Sequence, residues 1–343
     1  MPRYSARTAF AGSLLLALAT PALAQDPAAF YAGKQITLGI ASSPGGGYDI
    51  YARTLVRHYS RHIPGNPSIA IQYVPGGGGI VVANQMFNAA RKDGTAIALL
   101  ASSTFLLAAL GDKNTTFKNL EFTYIGNMNE EADTCSVWHT TGIKDAKEFL
   151  SREVVIGTAG PASNSHTFPM GMNAVLGAKL KLIPGYTGAS TTRTSAMEKG
   201  ELQGTCGIFV STLNSQFAKQ LADGQMRVVL QMGLSRHPAY KEVPNALELA
   251  PDEKGKQALT LLFAQLALGR PFIAPPGIPA DRAKALADGF AATMKDPELL
   301  ADAEKLRIET RWFGPERIRE LMLAMENAPE AVKSDVRRLL NMP

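Results

Sequence analysis

The sequence predicts an α/β protein of two lobes, each a mixed, mostly parallel sheet flanked by helices. Three observations lead to this prediction. A unit of strand, loop and helix recurs at the start of the chain, the unit restarts after residue 150, and two β-rich runs, 120–126 and 226–233, bracket the second set. Strands that alternate with helices form largely parallel sheets covered on both faces. The bracketing runs imply that the chain crosses between the lobes twice.

The first lobe is predicted from three copies of the unit. Each copy has a short apolar run, then a loop of glycine or serine, then apolar residues at helical spacing. The strands are predicted over 35–41, 69–74 and 95–101, and the helices after Gly47, Gly79 and Thr104.

The second lobe repeats this pattern, and the rest of the chain is mostly helical. Its strands are predicted over 153–159, 179–185, 201–210 and 226–233, with helices ending near Gly177 and over 189–200. The Pro-rich segment 271–280 reads as an ordered connector before three C-terminal helices. The predicted division is a signal peptide over 1–24, the first part of lobe 1 over 25–126, lobe 2 over 127–232 and the completion of lobe 1 over 233–343.

The N-terminus has the features of an export signal. Arg3 and Arg7 precede an apolar run of about eleven residues, which is too short to span a membrane, and the segment then ends in Ala-Leu-Ala at 22–24, as at a secretory cleavage site. We expect cleavage after Ala24 and a periplasmic mature protein. Loss of both arginines lowers the formal charge from +5 to +3, and the other basic residues are scattered. This balance argues against a nucleic-acid or membrane-surface partner.

Two cysteines, Cys135 and Cys206, occur in the whole chain. In an oxidising compartment an isolated pair is more often a disulfide than a redox or metal site. We therefore predict a structural bridge between two strands of one lobe, with two buried free thiols as the alternative.

The glycine loops carry the functional prediction. In such sheets ligands bind where the strands end, and a Gly-rich loop that opens a helix presents free N–H groups and the positive end of the helix dipole. Two such loops side by side would form an anion site, and the alternative is that the glycines only make tight turns. The predicted residues are Gly45, Gly46, Gly47, Gly77, Gly78 and Gly79, with Ser102 and Ser103 from the third unit. Neither loop completes a nucleotide-binding motif.

The remaining candidate residues leave alternatives open. Tyr48 at the loop mouth either contacts a ligand or packs as an ordinary aromatic, and Asp49 either caps N–H groups or ligates a cation. His58 and His62 are four residues apart but lack the rest of a metal motif, and we interpret them as surface residues. The sequence contains no Gly-x-Ser-x-Gly and no Cys-x-x-Cys. We therefore predict no enzyme, no metal and no cofactor.

The order of these motifs resembles the Bug proteins, the periplasmic substrate-binding components of tripartite tricarboxylate transporters. The matching features are the signal peptide, Pro-Gly-Gly-Gly-Tyr-Asp-Ile at 44–50, Pro-Gly-Gly-Gly-Gly at 75–79, Asp-Gly at 93–94, the loop ending at His166, and Gly185-Tyr186 before Gly188. The resemblance covers essentially the whole mature chain.

This resemblance implies a type II periplasmic binding protein fold that closes on a small carboxylate. The two glycine loops would hold one carboxylate, and loops of the second lobe would meet the distal end of the ligand. The second-lobe residues are Ser163, Asn164, Ser165, His166, Tyr186, Thr187, Gly188 and Gly207. Tyr48 stands where the family usually has Thr, and Gly207 stands where many members have Asp or Asn. The missing acid disfavours an amino acid and favours a dicarboxylate or aromatic acid.

The predicted function is therefore capture of a carboxylate by a monomer and its delivery to the permease subunits of such a transporter, with no nucleic-acid partner. Two alternatives stay open at this point. The loaded protein could signal to a membrane sensor kinase, or the same cleft could belong to a periplasmic lyase or hydrolase with His166 as base.

Overall fold

A computed structural model of the protein describes residues 26–187 and 192–342. The predicted signal peptide and cleavage site lie outside the described residues. Ten strands are present in this part of the chain: β1 Gln35–Ile40, β2 Ser68–Tyr73, β3 Ala96–Leu99, β4 Thr123–Asn127, β5 Asp133–Trp138, β6 Glu153–Thr158, β7 Lys179–Pro184, β8 Gly204–Phe209, β9 Met226–Met232 and β10 Pro271–Ala274.

Fourteen α-helices accompany these strands in the same residues. They are α1 Pro27–Tyr31, α2 Gly47–Tyr59, α3 Ile80–Asn88, α4 Ser102–Ala109, α5 Ala146–Ser151, α6 Asn164–Leu176, α7 Thr194–Glu198, α8 Val210–Gln216, α9 Ala218–Ala222, α10 Glu253–Ala264, α11 Ala280–Thr293, α12 Pro297–Leu306, α13 Pro315–Glu326 and α14 Glu330–Leu339. No helix in the described part of the chain has both the length and the apolar character needed to cross a membrane.

The strands form two five-stranded sheets, which confirms the predicted fold class. The first sheet has the order β2-β1-β3-β10-β4 and the second has the order β7-β6-β8-β5-β9. In each sheet four strands run in one direction and the fifth, β10 or β5, runs against both of its neighbours. That antiparallel strand is the first one after a crossing, because the chain passes from β4 to β5 and returns from β9 to β10. The chain therefore crosses twice, as predicted.

The sequence predicted the segment 271–280 to be a connector, but part of it is a strand. Its first four residues form β10, which pairs with β3 and β4 in the interior of the first sheet. All four are buried, and Phe272 packs on Phe290 of α11 with 5.6 Å between the ring centroids. The return crossing is thus anchored in the core of the first lobe, which here denotes the first sheet and its helices.

The helices after residue 232 pack in two places. α11 and α13 contact β4 and α12 contacts α2, so these three cover the first sheet. By contrast, α10 and α14 pack on each other and on α6 of the second lobe, with Phe168 and Phe263 in edge contact at 5.1 Å. The packing of these two helices departs from the assignment of all residues after 232 to the first lobe, and the domain division as a whole stays a prediction.

Both lobes present the same edge to each other. β1 and β3 lead into α2 and α4 in the first lobe, while β6 and β8 lead into α6 and α8 in the second. The N-termini of these four helices consequently gather where the two sheets face one another. This topology positions the candidate site.

Candidate functional site

A cavity of about 450 Å³ lies between the two lobes. Its wall from the first lobe is made by the two glycine loops and the start of α4, and its wall from the second lobe by the loop before α6, the end of β8 and the start of α8. The predicted residues that line the cavity are Gly45, Gly46, Gly47, Tyr48, Gly77, Gly78, Ser103, Ser163, Asn164, Ser165, Thr187 and Gly207. The structure therefore brings most of the predicted set together.

The first glycine loop opens α2 without a side-chain cap. Gly46 is the N-cap, at φ −80° and ψ 170°, and no side chain bonds the first N–H groups of the helix. The residues of this first turn line the cavity, where uncapped N–H groups and the helix dipole favour an anion. A Cβ on Gly46 would meet no atom closer than 3.5 Å. Neither the backbone angles nor the packing of this loop therefore requires glycine at position 46. Close approach of a ligand to the backbone would require it, because a side chain would stand in the way.

Asp49 supports this loop from behind and does not line the cavity. Its carboxylate accepts hydrogen bonds from the Gly45 N–H at 2.8 Å, from Arg53 at 2.9 Å and from the Tyr73 hydroxyl at 2.7 Å. Although burial opposes the shift, these bonds hold the pKa of Asp49 below its usual value. The carboxylate is fully engaged, so its contacts are those of a capping acid rather than of a cation ligand.

The second glycine loop requires glycine for its backbone. Gly76, Gly77, Gly78 and Gly79 all have positive φ, from 54° to 137°, a region that residues with a side chain rarely occupy. Gly79 does not line the cavity. A Cβ there would lie 2.9 Å from Ala101 and Thr104, so glycine at this position permits close packing.

Helix α4 connects the two glycine loops. The Ser103 hydroxyl donates to the carbonyl of Gly78 at 3.2 Å and so orients the second loop. The Ser102 N–H donates to the Tyr48 hydroxyl at 3.3 Å, and Ser102 itself is buried behind the wall. Tyr48 both lines the cavity and packs against its neighbours, so the two alternatives for this residue are not exclusive.

The second lobe contributes the N-terminus of α6. The Ser165 hydroxyl accepts from the Ala159 N–H at 2.9 Å and fixes the loop before the helix. His166 lies outside the cavity wall, where its Nδ1 is 3.1 Å from the Thr158 hydroxyl, and burial lowers its pKa. It is therefore not placed to act on a molecule in the cavity. Gly207 is glycine for steric reasons, since a Cβ would come within 2.4 Å of the Ser165 backbone.

The loop after β7 is only partly described. Thr187 lines the cavity, whereas Tyr186 lies behind it and accepts a hydrogen bond from Arg193 on its carbonyl. Gly188 lies outside the described residues.

The two lobes touch across the cavity. A Cβ on Gly78 would lie 2.6 Å from the carbonyl oxygen of Ala162, and one on Gly47 would lie 2.3 Å from the Thr212 hydroxyl. The side-chain amide of Gln216 donates to the Gly45 carbonyl at 3.4 Å. The lobes are therefore closed on each other, and glycine at positions 47 and 78 permits that approach.

Two buried arginines that the sequence did not single out also line the cavity. Arg270, just before β10, lies between the rings of Tyr48, Tyr51 and Phe209 at 4.4 to 4.7 Å, and Glu131 is its ion-pair partner at 3.2 Å. Arg193, before α7, is the second. Scattered basic residues carry no local signal for burial, so sequence patterns could not distinguish these two from the rest.

An acid is present near the second-lobe wall even though position 207 is glycine. Asp133, at the start of β5, is fully buried, and its carboxylate lies 3.4 Å from the side-chain amide of Asn164. Burial raises the pKa of Asp133 to about 8, and Glu131 acts in the same direction. Asp133 stands behind Asn164 and does not line the cavity, so the inference that Gly207 leaves an ammonium group of a ligand without an acidic partner stays a prediction.

Two further predictions about side chains have a clear outcome. Cys135 and Cys206 occupy paired positions on β5 and β8 and form a disulfide, as predicted. His58 was predicted to be a surface residue, and this was wrong: it is buried, and its Nε2 lies 3.0 Å from Asp302. Within residues 26–187 and 192–342, no group of three or more His, Cys, Asp or Glu side chains could hold a metal ion.

Comparison with known proteins gives matches at the level of structure. No protein-family model and no curated protein sequence matches the chain. The periplasmic binding protein BugD is 19% identical, with a TM-score of 0.66 over 91% of this chain and 95% of that one. MatC from Rhodopseudomonas palustris with bound malate is 19% identical, with a TM-score of 0.66 over 90% and 98%. An adipate complex of another R. palustris protein is 17% identical, with a TM-score of 0.69 over 90% and 97%. The chain has the two-lobed fold of these periplasmic binding proteins, and its structural neighbours include the Bug proteins that its sequence resembles.

Proposed function

We propose that this protein captures a small carboxylate between its two lobes in the periplasm and delivers it to the membrane subunits of a tripartite tricarboxylate-type transporter. One observation carries the proposal. The N-termini of α2, α4 and α6 and the second glycine loop converge on one cavity between the lobes. Such backbone sites hold an anion without reactive side chains.

The residues that we propose for ligand binding follow from the cavity wall. The carboxylate would be held by the N–H groups of 46–48 at the start of α2 and by the loop at Gly77 and Gly78. Each helix N-terminus favours an anion by about 0.3–1 kcal/mol, and more where the site is partly buried. Ser163, Asn164 and Thr187 would contact the rest of the ligand from the second lobe.

The comparisons support this proposal in part. The structural neighbours include solute-binding proteins, and two of them have malate or adipate bound. Delivery to a permease, export with cleavage after Ala24 and action as a monomer belong to the proposal. They rest on the resemblance and on the N-terminal sequence.

Thermal unfolding of the mature protein tests the proposal directly. The protein would be titrated with mono-, di- and tricarboxylates, aromatic acids and the amide of each acid. A ligand that binds only the native state stabilises it by RT ln(1 + [L]/Kd), which is about 2.7 kcal/mol at a hundredfold excess over Kd. We expect a rise in Tm with at least one acid and none with its amide. Equal shifts with acid and amide would contradict an anion site.

A further inference from the structure

Two buried guanidinium groups line the cavity, but only one has a partner of opposite charge. The Nη2 of Arg270 lies 3.2 Å from the carboxylate of Glu131, and neither side chain is solvent-exposed. The pair is close to neutral as a unit. By contrast, no carboxylate of the described residues lies within 4.0 Å of the Arg193 guanidinium.

Neutral oxygens hold Arg193 in one orientation. Its Nε donates to the carbonyl of Tyr186, and its Nη1 donates to the Thr205 hydroxyl and the Cys206 carbonyl, all at 3.2 Å. These bonds use two of the three guanidinium nitrogens. Among the described residues, Nη2 has no hydrogen-bond acceptor. One edge of a fixed, planar donor group is thus left available at the cavity wall.

The charge of Arg193 persists at neutral pH. Burial lowers its pKa to about 10, so the group stays protonated. Asp133 acts on it electrostatically, but burial raises the pKa of Asp133 to about 8, so this side chain is mostly protonated at neutral pH. A buried charge without a counter-charge is unfavourable, because the group has lost its hydration and gained no ion pair. A negative group of the ligand would remove that cost.

We propose that Arg193 is a specificity-determining residue that pairs with a second acidic group of the ligand, which makes the preferred ligand a diacid. This inference rests on the proposed function, in which the first carboxylate lies at the glycine loops. Arg193 bonds the backbone at Cys206, and Arg270, beside Gly47, packs on Phe209. These two positions on β8 are three residues apart with the bulge at Gly207 between them, so they are separated by less than the roughly 10 Å that a fully extended strand would span. The two acidic groups are therefore bound at separate ends of the cavity.

The test compares each diacid with its monoamide, for example adipate with adipamate and succinate with succinamate, by isothermal titration calorimetry. The monoamide keeps the size of the ligand and one carboxylate but lacks the second charge. We expect wild-type protein to bind at least one diacid tenfold or more tightly than its monoamide. This comparison needs no variant and is independent of folding defects.

Two variants then assign the preference to one side chain. Arg193→Gln should weaken diacid binding tenfold or more and leave monoamide binding within about twofold. The diacid affinity of Arg193→Lys should lie between those of the wild type and Arg193→Gln, because lysine keeps the charge but lacks the planar pair of N–H donors of a guanidinium. Arg227→Gln is the matched control. It removes the same charge from an exposed position on β9 of the same sheet, and should change neither Kd.

The outcomes separate this inference from the proposed function. If wild-type protein binds monoamide and diacid equally well, the inference is overturned while the carboxylate site stands. If Arg193→Gln loses the same factor in affinity for the diacid and for the monoamide, Arg193 has a structural role only, and the inference is again overturned. If no carboxylate of any kind binds, the proposed function fails as well.

Discussion

Gly78 offers the sharpest test of closure, because a single methyl group there should prevent the lobes from meeting. Its φ is 62°, and an added Cβ would lie 2.6 Å from the carbonyl oxygen of Ala162 in the opposite lobe. Ordinary van der Waals contact begins near 3.4 Å. The two backbones would therefore have to separate by about 0.8 Å at this point in the closed state, whereas the open state would be unaffected.

The expected effect of Gly78→Ala on binding follows from that overlap. Overpacking of this size costs about 1–3 kcal/mol, which corresponds to a roughly five- to 150-fold rise in Kd. The left-handed backbone adds roughly 1–2 kcal/mol for alanine. That strain is present whether the lobes are open or closed, so it lowers stability without changing affinity.

Gly33→Ala is the matched control, since Gly33 belongs to the same lobe, has φ 68° and has no atom within 4 Å of an added Cβ. Both variants should lose similar stability in urea unfolding, and only Gly78→Ala should lose affinity in calorimetry. Small-angle scattering should show that the ligand compacts the wild type more than Gly78→Ala. Unchanged affinity in Gly78→Ala would refute the argument that this contact limits closure.

Three further predictions follow from the site and its support. Gly46→Ala should leave Tm nearly unchanged, because the backbone is at φ −80° and the nearest atom is 3.5 Å away, yet it should weaken carboxylate binding in calorimetry; full affinity would show that the ligand does not approach this backbone. Removal of the disulfide by Cys135→Ser with Cys206→Ser should lower the free energy of unfolding by about 4 kcal/mol, since it opens a loop of 71 residues. A loss below about 1 kcal/mol in urea unfolding would contradict the chain-entropy argument. Burial raises the pKa of Asp133 from 3.8 to about 8 in the folded protein. Its contribution to stability is therefore fully present below about pH 4 and is lost as the pH rises through 8. Asp133→Asn should flatten this decline in the urea midpoint between pH 5 and 8, and parallel pH curves for wild type and variant would disprove the assignment.

Much of the site could be predicted because its signals are local. A glycine loop between an apolar run and a helix is visible in any short window, and position 78 shows why the residue type matters. Its positive φ and its contact with Ala162 both exclude a side chain. The repetition of such loops on successive strands then placed them on one edge of a sheet, since parallel strands end together.

The missed elements depend on contacts that are distant in sequence. β5 contains Asp133 and two further polar residues, and all six of its positions are buried. Its sequence therefore has neither an apolar run nor an alternation. β10 has four residues and begins at Pro271, and only its pairing with β3 and β4 distinguishes it from a connector.

The two cavity arginines are a different kind of omission. Arg270 is identified by Glu131, which lies on the other crossing segment, and by rings from both lobes. Arg193 is identified by the lack of such a partner. Neither property exists before the chain is folded, so no pattern in the sequence could report it.

The junction between the two crossings has a mechanical consequence. The Met128 N–H donates to the Arg270 carbonyl, the Arg270 N–H donates to the side chain of Asn127, and Glu131 closes the set through its ion pair. The first crossing, 128–132, and the last residues of the return crossing, 266–270, are therefore bonded side by side. We expect these two segments to bend as one unit when the lobes open and close, which would limit the motion to one hinge axis and resist sliding or twisting of one lobe against the other.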